Sequence, residues 1–170
     1  MKKIISTILM MFLMMTLTSV THAEWPSYWK GDKKFPLIFG FRMNSFYLDR
    51  TSMVVKENNP PYYVIAANVF SVENNTDYSY QSNAIKHTWT FEIRYDDNET
   101  SMYLKTDDGW TYLSPLATGS TREQEMAMNA GEAMWYVFKG SKFYGAYTWT
   151  DSKHSKAESP TFTNGLYDRL

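Results

Sequence analysis

Two histidines, His87 and His154, and two acidic clusters are the side chains beyond the leader that could support acid–base or metal chemistry. His87 opens the apolar face of an alternating run, where a packed or rim histidine is the ordinary role. His154 stands in the polar stretch Asp151-Ser152-Lys153-His154-Ser155-Lys156. The chain has no His-x-x-x-His pair, no Gly-x-Ser-x-Gly, no Ser-x-x-Lys with a partner motif and no phosphate-cradling glycine loop. Asp96, Asp97, Asn98 and Glu99, with Asp107 and Asp108 further on, offer oxygens of the kind Ca²⁺ accepts. Their spacing does not fit an EF-hand loop. As turns at opposite ends of one strand, the two clusters should not converge. No catalytic residue, metal site or cofactor is therefore expected. The sequence contains no cysteine, which excludes a disulfide scaffold, a Cys-based zinc site, a thiol nucleophile and lipidation on cysteine. With 17 basic against 18 acidic side chains, the formal charge of -1 argues against nucleic-acid binding.

Aromatic residues offer a different chemistry, that of contact. The sequence holds 13 Tyr, 10 Phe and 6 Trp, too many for a disordered chain. Trp25, Tyr28 and Trp29 lie in an irregular lead-in, Tyr78 and Tyr80 in a polar loop, and Tyr144, Tyr147 and Trp149 near the other end. Tyr and Trp join large contact area to a polar handle, so these eight make a candidate surface for a protein or a glycan. The alternative is that they seal the edges of a sheet. Asn74-Asn75-Thr76 and Asn98-Glu99-Thr100 match the N-glycosylation pattern, though nothing in the leader points to a eukaryotic host.

The elements that must position these residues follow from periodicity. Lys2 and Lys3, an uncharged apolar run from Ile4 to Val20, and small residues at Thr21 and Ala23 read as a signal peptide over 1–23. Cleavage leaves no membrane span and a periplasmic or secreted protein. One domain over 24–150 and a polar, loose tail over 151–170 are expected. Leu37 to Met43 alternates as a first strand. Phe46-Tyr47-Leu48 and Met53-Val54-Val55 are two short apolar runs, and Asn58-Asn59-Pro60-Pro61 is a strong break. Tyr62 to Val72 is apolar on both alternating sets, as a central strand covered on both faces would be. His87, Trp89, Phe91, Ile93 and Tyr95 share one face of the next strand. Turns at Asp96–Glu99 and Asp107-Asp108-Gly109 extend it into an antiparallel meander through Met102-Tyr103-Leu104 and Trp110–Leu113. Ser120 and Glu123 suit a capping box for a helix over 121–138, with an apolar stripe of Met126, Ala130, Ala133, Met134 and Val137. Gly140 ends it. Phe143 to Trp149 is expected as an edge strand. The fold class is thus α+β, an antiparallel meander with one C-terminal helix packed on a face.

Phe46-Tyr47-Leu48-Asp49-Arg50-Thr51-Ser52 resembles the opening of the bacterial surface-adhesin protein E family, whose Tyr-x-Asp-x-x-Ser element is filled here by Tyr47, Asp49 and Ser52. Phe91 to Asp96 followed by Met102-Tyr103-Leu104 is similar to that family's aromatic and acidic strand pair. The likeness spans Phe46 to Pro115. The chain also looks like the small exported proteins of anaerobic bacteria. The resemblance implies an antiparallel sheet with a packed helix, displayed at the envelope and binding host matrix proteins. The family's lipidated cysteine and stabilising cysteine pair are missing, which favours a soluble exported state. The functional expectation is a non-enzymatic binding or adhesin-like module. The alternatives are an envelope-maintenance or inhibitor protein, and a hydrolase with an unrecognised site around His87.

Overall fold

A computed structural model describes residues 25–75, 82–116, 120–147, 149–151, 154–157, 162 and 165–170. The signal-peptide expectation for 1–23, and Tyr78 and Tyr80, lie outside the described residues. Six strands form one antiparallel sheet in chain order: β1 (Leu37–Phe41), β2 (Asn44–Asn59), β3 (Tyr62–Glu73), β4 (His87–Asp96), β5 (Ser101–Thr106) and β6 (Gly109–Leu113). The helix α1 (Arg122–Lys139) touches all six, so the sheet curls around it. The protein is α+β. A separate hairpin joins β7 (Trp149–Asp151) to β8 (His154–Ala157).

The two apolar runs around Asp49-Arg50-Thr51-Ser52 belong to one long strand, β2, and not to two short ones. Its register against β3 shifts between Asp49 and Val54. The Asp49 carboxylate accepts from the Thr51 amide at 2.9 Å, the Ser52 hydroxyl donates to the Asp49 carbonyl at 2.7 Å, and the Asn68 amide donates to Ser52 Oγ at 2.8 Å. The serine replaces a ladder partner that the bulge removes, so the strand continues across it. Tyr47 is buried, its hydroxyl bonded to the Pro26 carbonyl at 2.9 Å.

Strand β3 is buried on both faces from Tyr63 to Ala67, as its continuous apolar sequence requires. Phe91, Ile93 and Tyr95 of β4 point into the core with Met102 and Leu104 of β5 and Leu113 of β6. Against them lies α1, buried without interruption from Met126 to Trp135. A helix enclosed by a curled sheet must be covered nearly all round, which explains why Ala and Gly alternate with Met along it. Gly131 is the point of closest approach, since a Cβ there would stand 2.8 Å from Met102 Sδ. Its carbonyl accepts the Tyr95 hydroxyl at 2.8 Å.

The helix cap lies one residue beyond Ser120. Thr121 Oγ1 accepts from the Gln124 amide at 3.3 Å, and Gln124 Oε1 accepts from the Thr121 amide at 2.8 Å. Both Ser120/Glu123 and Thr121/Gln124 have capping-box spacing, and the extended backbone at Thr121 selects the second. At the other end Gly140 takes φ of 70° and its amide bonds the Tyr136 carbonyl, which ends α1 as expected.

Two expectations for the C-terminal part are corrected. Phe143 to Trp149 adds no edge strand to the main sheet; Tyr144–Ala146 is a 3-10 turn, and Trp149 begins the separate hairpin. The segment read as a loose tail ends in packed residues. Leu166 is buried, the Tyr167 hydroxyl bonds Glu132, and Arg169 Nε donates to the Leu37 carbonyl at 3.0 Å. Polar composition hid this because the anchors are single side chains set among polar neighbours.

Candidate binding surfaces

A groove opens between the N-terminus of α1 and the neighbouring ends of β2, β3 and β4. It has a volume of about 420 Å³. Phe46, Trp89 and Met126 give it an apolar floor, with the buried Ser71 beside them; Lys86, His87, Arg122 and Glu123 stand on the rim with Asn44. Alternation along β4 turns His87, Trp89 and Phe91 to one side, so Trp89 sits where the buried face meets the mouth. Its ring lies 5.8 Å from Phe46 and 5.7 Å from His87, centroid to centroid. The Arg122 guanidinium stacks on Phe41 at 3.5 Å from its ring centroid. Lys86 pairs with Glu73 at 3.7 Å. Volumes of this size hold small ligands or a protruding side chain, and an apolar floor with a few polar groups is the usual lining.

His87 lies on the rim and is exposed. Ion pairs between described residues join Lys56 to Glu92 and Lys86 to Glu73, and neither involves His87. Among the described residues no three His, Asp or Glu side chains group to hold a metal. Asp96 Oδ1 accepts from the amides of Asn98 and Glu99, so the first acidic cluster shapes its own turn. Asp107 and Asp108 lie across the length of β5 from it. Asn74 of the first glycosylation pattern is buried and donates to Ser45 Oγ at 2.7 Å.

The aromatic candidates divide. Trp29 packs edge-on against Phe35 and Phe70, at 5.5 and 5.0 Å, sealing a small second core under the lead-in. Trp25 lies over Gly40, where a Cβ would come within 2.5 Å of its ring. Its indole donates to the Arg42 carbonyl at 3.4 Å. Tyr28 is half-buried and bridges to Pro36. These three close the sheet at the β1 side. Replacing Gly40 by Val is expected to displace Trp25 and red-shift its fluorescence, with a loss of stability of about 1–2 kcal/mol in a thermal melt. An unchanged spectrum would contradict that packing.

Tyr144 is removed from the candidate surface altogether. It is fully buried, its hydroxyl accepting from the Met102 amide at 2.8 Å and donating to the Leu113 carbonyl at 2.7 Å. Those two residues face each other across β5 and β6, so the phenol bridges the strands at the end of their ladder. Burial pushes its pKa far above the ordinary tyrosine value. Tyr147 remains exposed, beside a polar hollow of about 390 Å³ lined by Asp97, Trp135, Lys139, Ser141, Lys142 and Phe143. Nothing is described of the Trp149 side chain.

Two features went unmarked at the level of sequence. The first lies on the sheet face turned away from α1. Arg94 spreads its guanidinium over Tyr103 at 4.7 Å and Trp110 at 4.9 Å, Lys105 covers Trp110 at 5.0 Å, and Tyr112 contacts Tyr103 at 5.7 Å. Tyr112 is 48% exposed and stands on the last strand. Period-2 alternation across Arg94, Tyr103, Lys105, Trp110 and Tyr112 carries this signal. The second is Glu132, fully buried in α1. Its carboxylate accepts from the amides of Phe143 and Tyr144 at 2.8 Å each, from Gly145 at 3.4 Å and from the Tyr167 hydroxyl at 2.7 Å. Burial raises its pKa, against the lowering effect of the Tyr167 and main-chain hydrogen bonds. Burial, followed by the nearby Glu132 charge, likewise raises Tyr167. A lone Glu within an apolar helical stripe was the available sign.

No family model, curated protein or solved structure matches the chain. Among the described residues, no helix is long and apolar enough to cross a membrane.

Proposed function

We propose that the protein is an exported, non-enzymatic binding module of adhesin-like character, and that the groove at the mouth of the curled sheet is where its protein or glycan partner docks. The supporting observation is the apolar floor of Phe46, Trp89 and Met126 within a rim of Lys86, His87 and Arg122. Trp89 is central to it, half-buried by its own fold and with a face left for a ligand. Partly wet tryptophans that finish their burial on a partner are the usual anchors of binding energy.

The test is capture from cell-envelope and host extracellular fractions by the wild type and by Trp89→Ala. Replacement is expected to weaken capture about 30-fold, the effect of losing roughly 2 kcal/mol at an anchor, while Tyr147→Ala leaves it unchanged. Equal capture by wild type and Trp89→Ala would remove the groove from the reading. Amino-terminal sequencing of the recovered protein is expected to begin at Glu24, after the signal peptide.

A further inference from the structure

We propose that β6 is a self-pairing edge, and that a second copy of the chain adds its own β6 antiparallel to it, joining two sheets into one. The two edges of the sheet are treated differently. At β1 the Leu37 amide donates to the Ser27 carbonyl at 2.9 Å, Arg169 takes the Leu37 carbonyl, and Trp25 lies over Gly40. The lead-in and the chain's last residues cover that side. Among the described residues, β6 pairs with β5 alone.

The pairing fixes which groups β6 leaves open. Asp107 and Asp108 form a two-residue turn closed by the pair Thr106 and Gly109. Such a closing pair is hydrogen-bonded, and antiparallel pairs then alternate. Gly109, Thr111 and Leu113 therefore address β5, in keeping with the Leu113 carbonyl meeting Tyr144 between the strands. Trp110 and Tyr112 turn their N–H and C=O groups outward, where no described residue meets them.

One register uses all of these groups. With Thr111 on a two-fold axis, Trp110 of each copy stands opposite Tyr112 of the other, and each such pair exchanges two main-chain hydrogen bonds. The same register sets Trp110 beside Tyr112 of the second copy on the outer face, so the Arg94–Tyr103–Trp110 stack continues across the junction. Edges that stay single usually carry Lys, Pro or a bulge. Gly109-Trp110-Thr111-Tyr112-Leu113 carries no charge and no proline, and its register is regular. Five residues bury a modest area, so the dimer is weak and concentration-dependent.

A chain without cysteine permits a direct test. Across the axis the two Thr111 form a non-hydrogen-bonded pair with Cα atoms about 4.5 Å apart, which a disulfide can span. Thr111→Cys is expected to give a covalent dimer on mild oxidation, and Thr90→Cys, exposed on an interior strand, at least tenfold less. Adding Tyr112→Pro to Thr111→Cys removes an outward N–H while sparing the β5 ladder, and is expected to cut the dimer yield at least tenfold. Should that variant misfold by circular dichroism, Trp110→Glu with Tyr112→Lys serves instead. Its opposite charges face each other across the axis and should keep the dimer, whereas Tyr112→Lys alone weakens it. The proposal is overturned by no cross-linked dimer from Thr111→Cys, by equal yield from Thr90→Cys, or by a dimer indifferent to every change at Trp110 and Tyr112. Capture of another protein's strand by Thr111→Cys in place of a second copy overturns it as well.

Discussion

Replacing Glu132 by alanine is expected to destabilise the protein by roughly 3 kcal/mol, because it removes the acceptor that several buried donors share. The carboxylate gathers the Phe143 and Tyr144 amides and the Tyr167 hydroxyl around one buried point. In so doing it ties α1 to the Tyr144–Ala146 turn and to the chain's last residues. Glu132→Gln keeps one acceptor oxygen without the charge and should cost about 1 kcal/mol. The acidity dependence has a definite sign. Burial raises the carboxyl above its ordinary 4.5 in the folded state, so folding favours the protonated form. The stability contributed by Glu132 is then fullest below pH 4.5 and is lost as pH rises through the folded-state value. The gap between wild type and Glu132→Ala should be widest in acid and narrow toward neutrality. Denaturant titrations at several pH values check this, and a gap that widens with rising pH would contradict it.

Ile93→Asp should have the larger effect and leave no folded protein at room temperature. Ile93 is fully buried between Leu104 and Ile65 in the sheet and lies beneath Gly131 of α1. A carboxylate there would be buried in an apolar layer, at a cost of roughly 4 kcal/mol or more. Thr90, three residues earlier on the opposite face, is exposed. Thr90→Asp loses its hydrogen bond to Asn68 and should stay within about 1 kcal/mol of wild type. Equal tolerance of the two changes in thermal melts would mean that β4 is inverted.

The contrast between those two residues was readable from alternation alone, because β4 has one wet and one dry face. The same holds for the doubly covered β3, whose apolar run has no second explanation at that length. Asp49 to Ser52 was harder. Four polar residues between apolar runs look like a turn, and only the Ser52 hydroxyl standing in for a ladder partner makes them a bulge within one strand. Glu132, Leu166 and Arg169 escaped altogether, since their partners lie far away in the chain and no local pattern encodes a long-range hydrogen bond. Among the aromatic candidates, local context could not separate Tyr144, buried to the last atom, from the exposed Tyr147 three positions on. The groove drew on Phe46, Trp89, Met126 and Arg122, whose meeting depends on the sheet's curl and not on sequence spacing.

The reach of Arg169 back to Leu37 spans 132 residues. A growing chain therefore cannot place this last cover on its first strand until residue 169 has been made. Until then one main-chain acceptor on the β1 border lacks the cover that Arg169 gives it, while Ser27 and Trp25 can already close the rest. Closure at Leu37 thus waits on a residue 132 positions downstream.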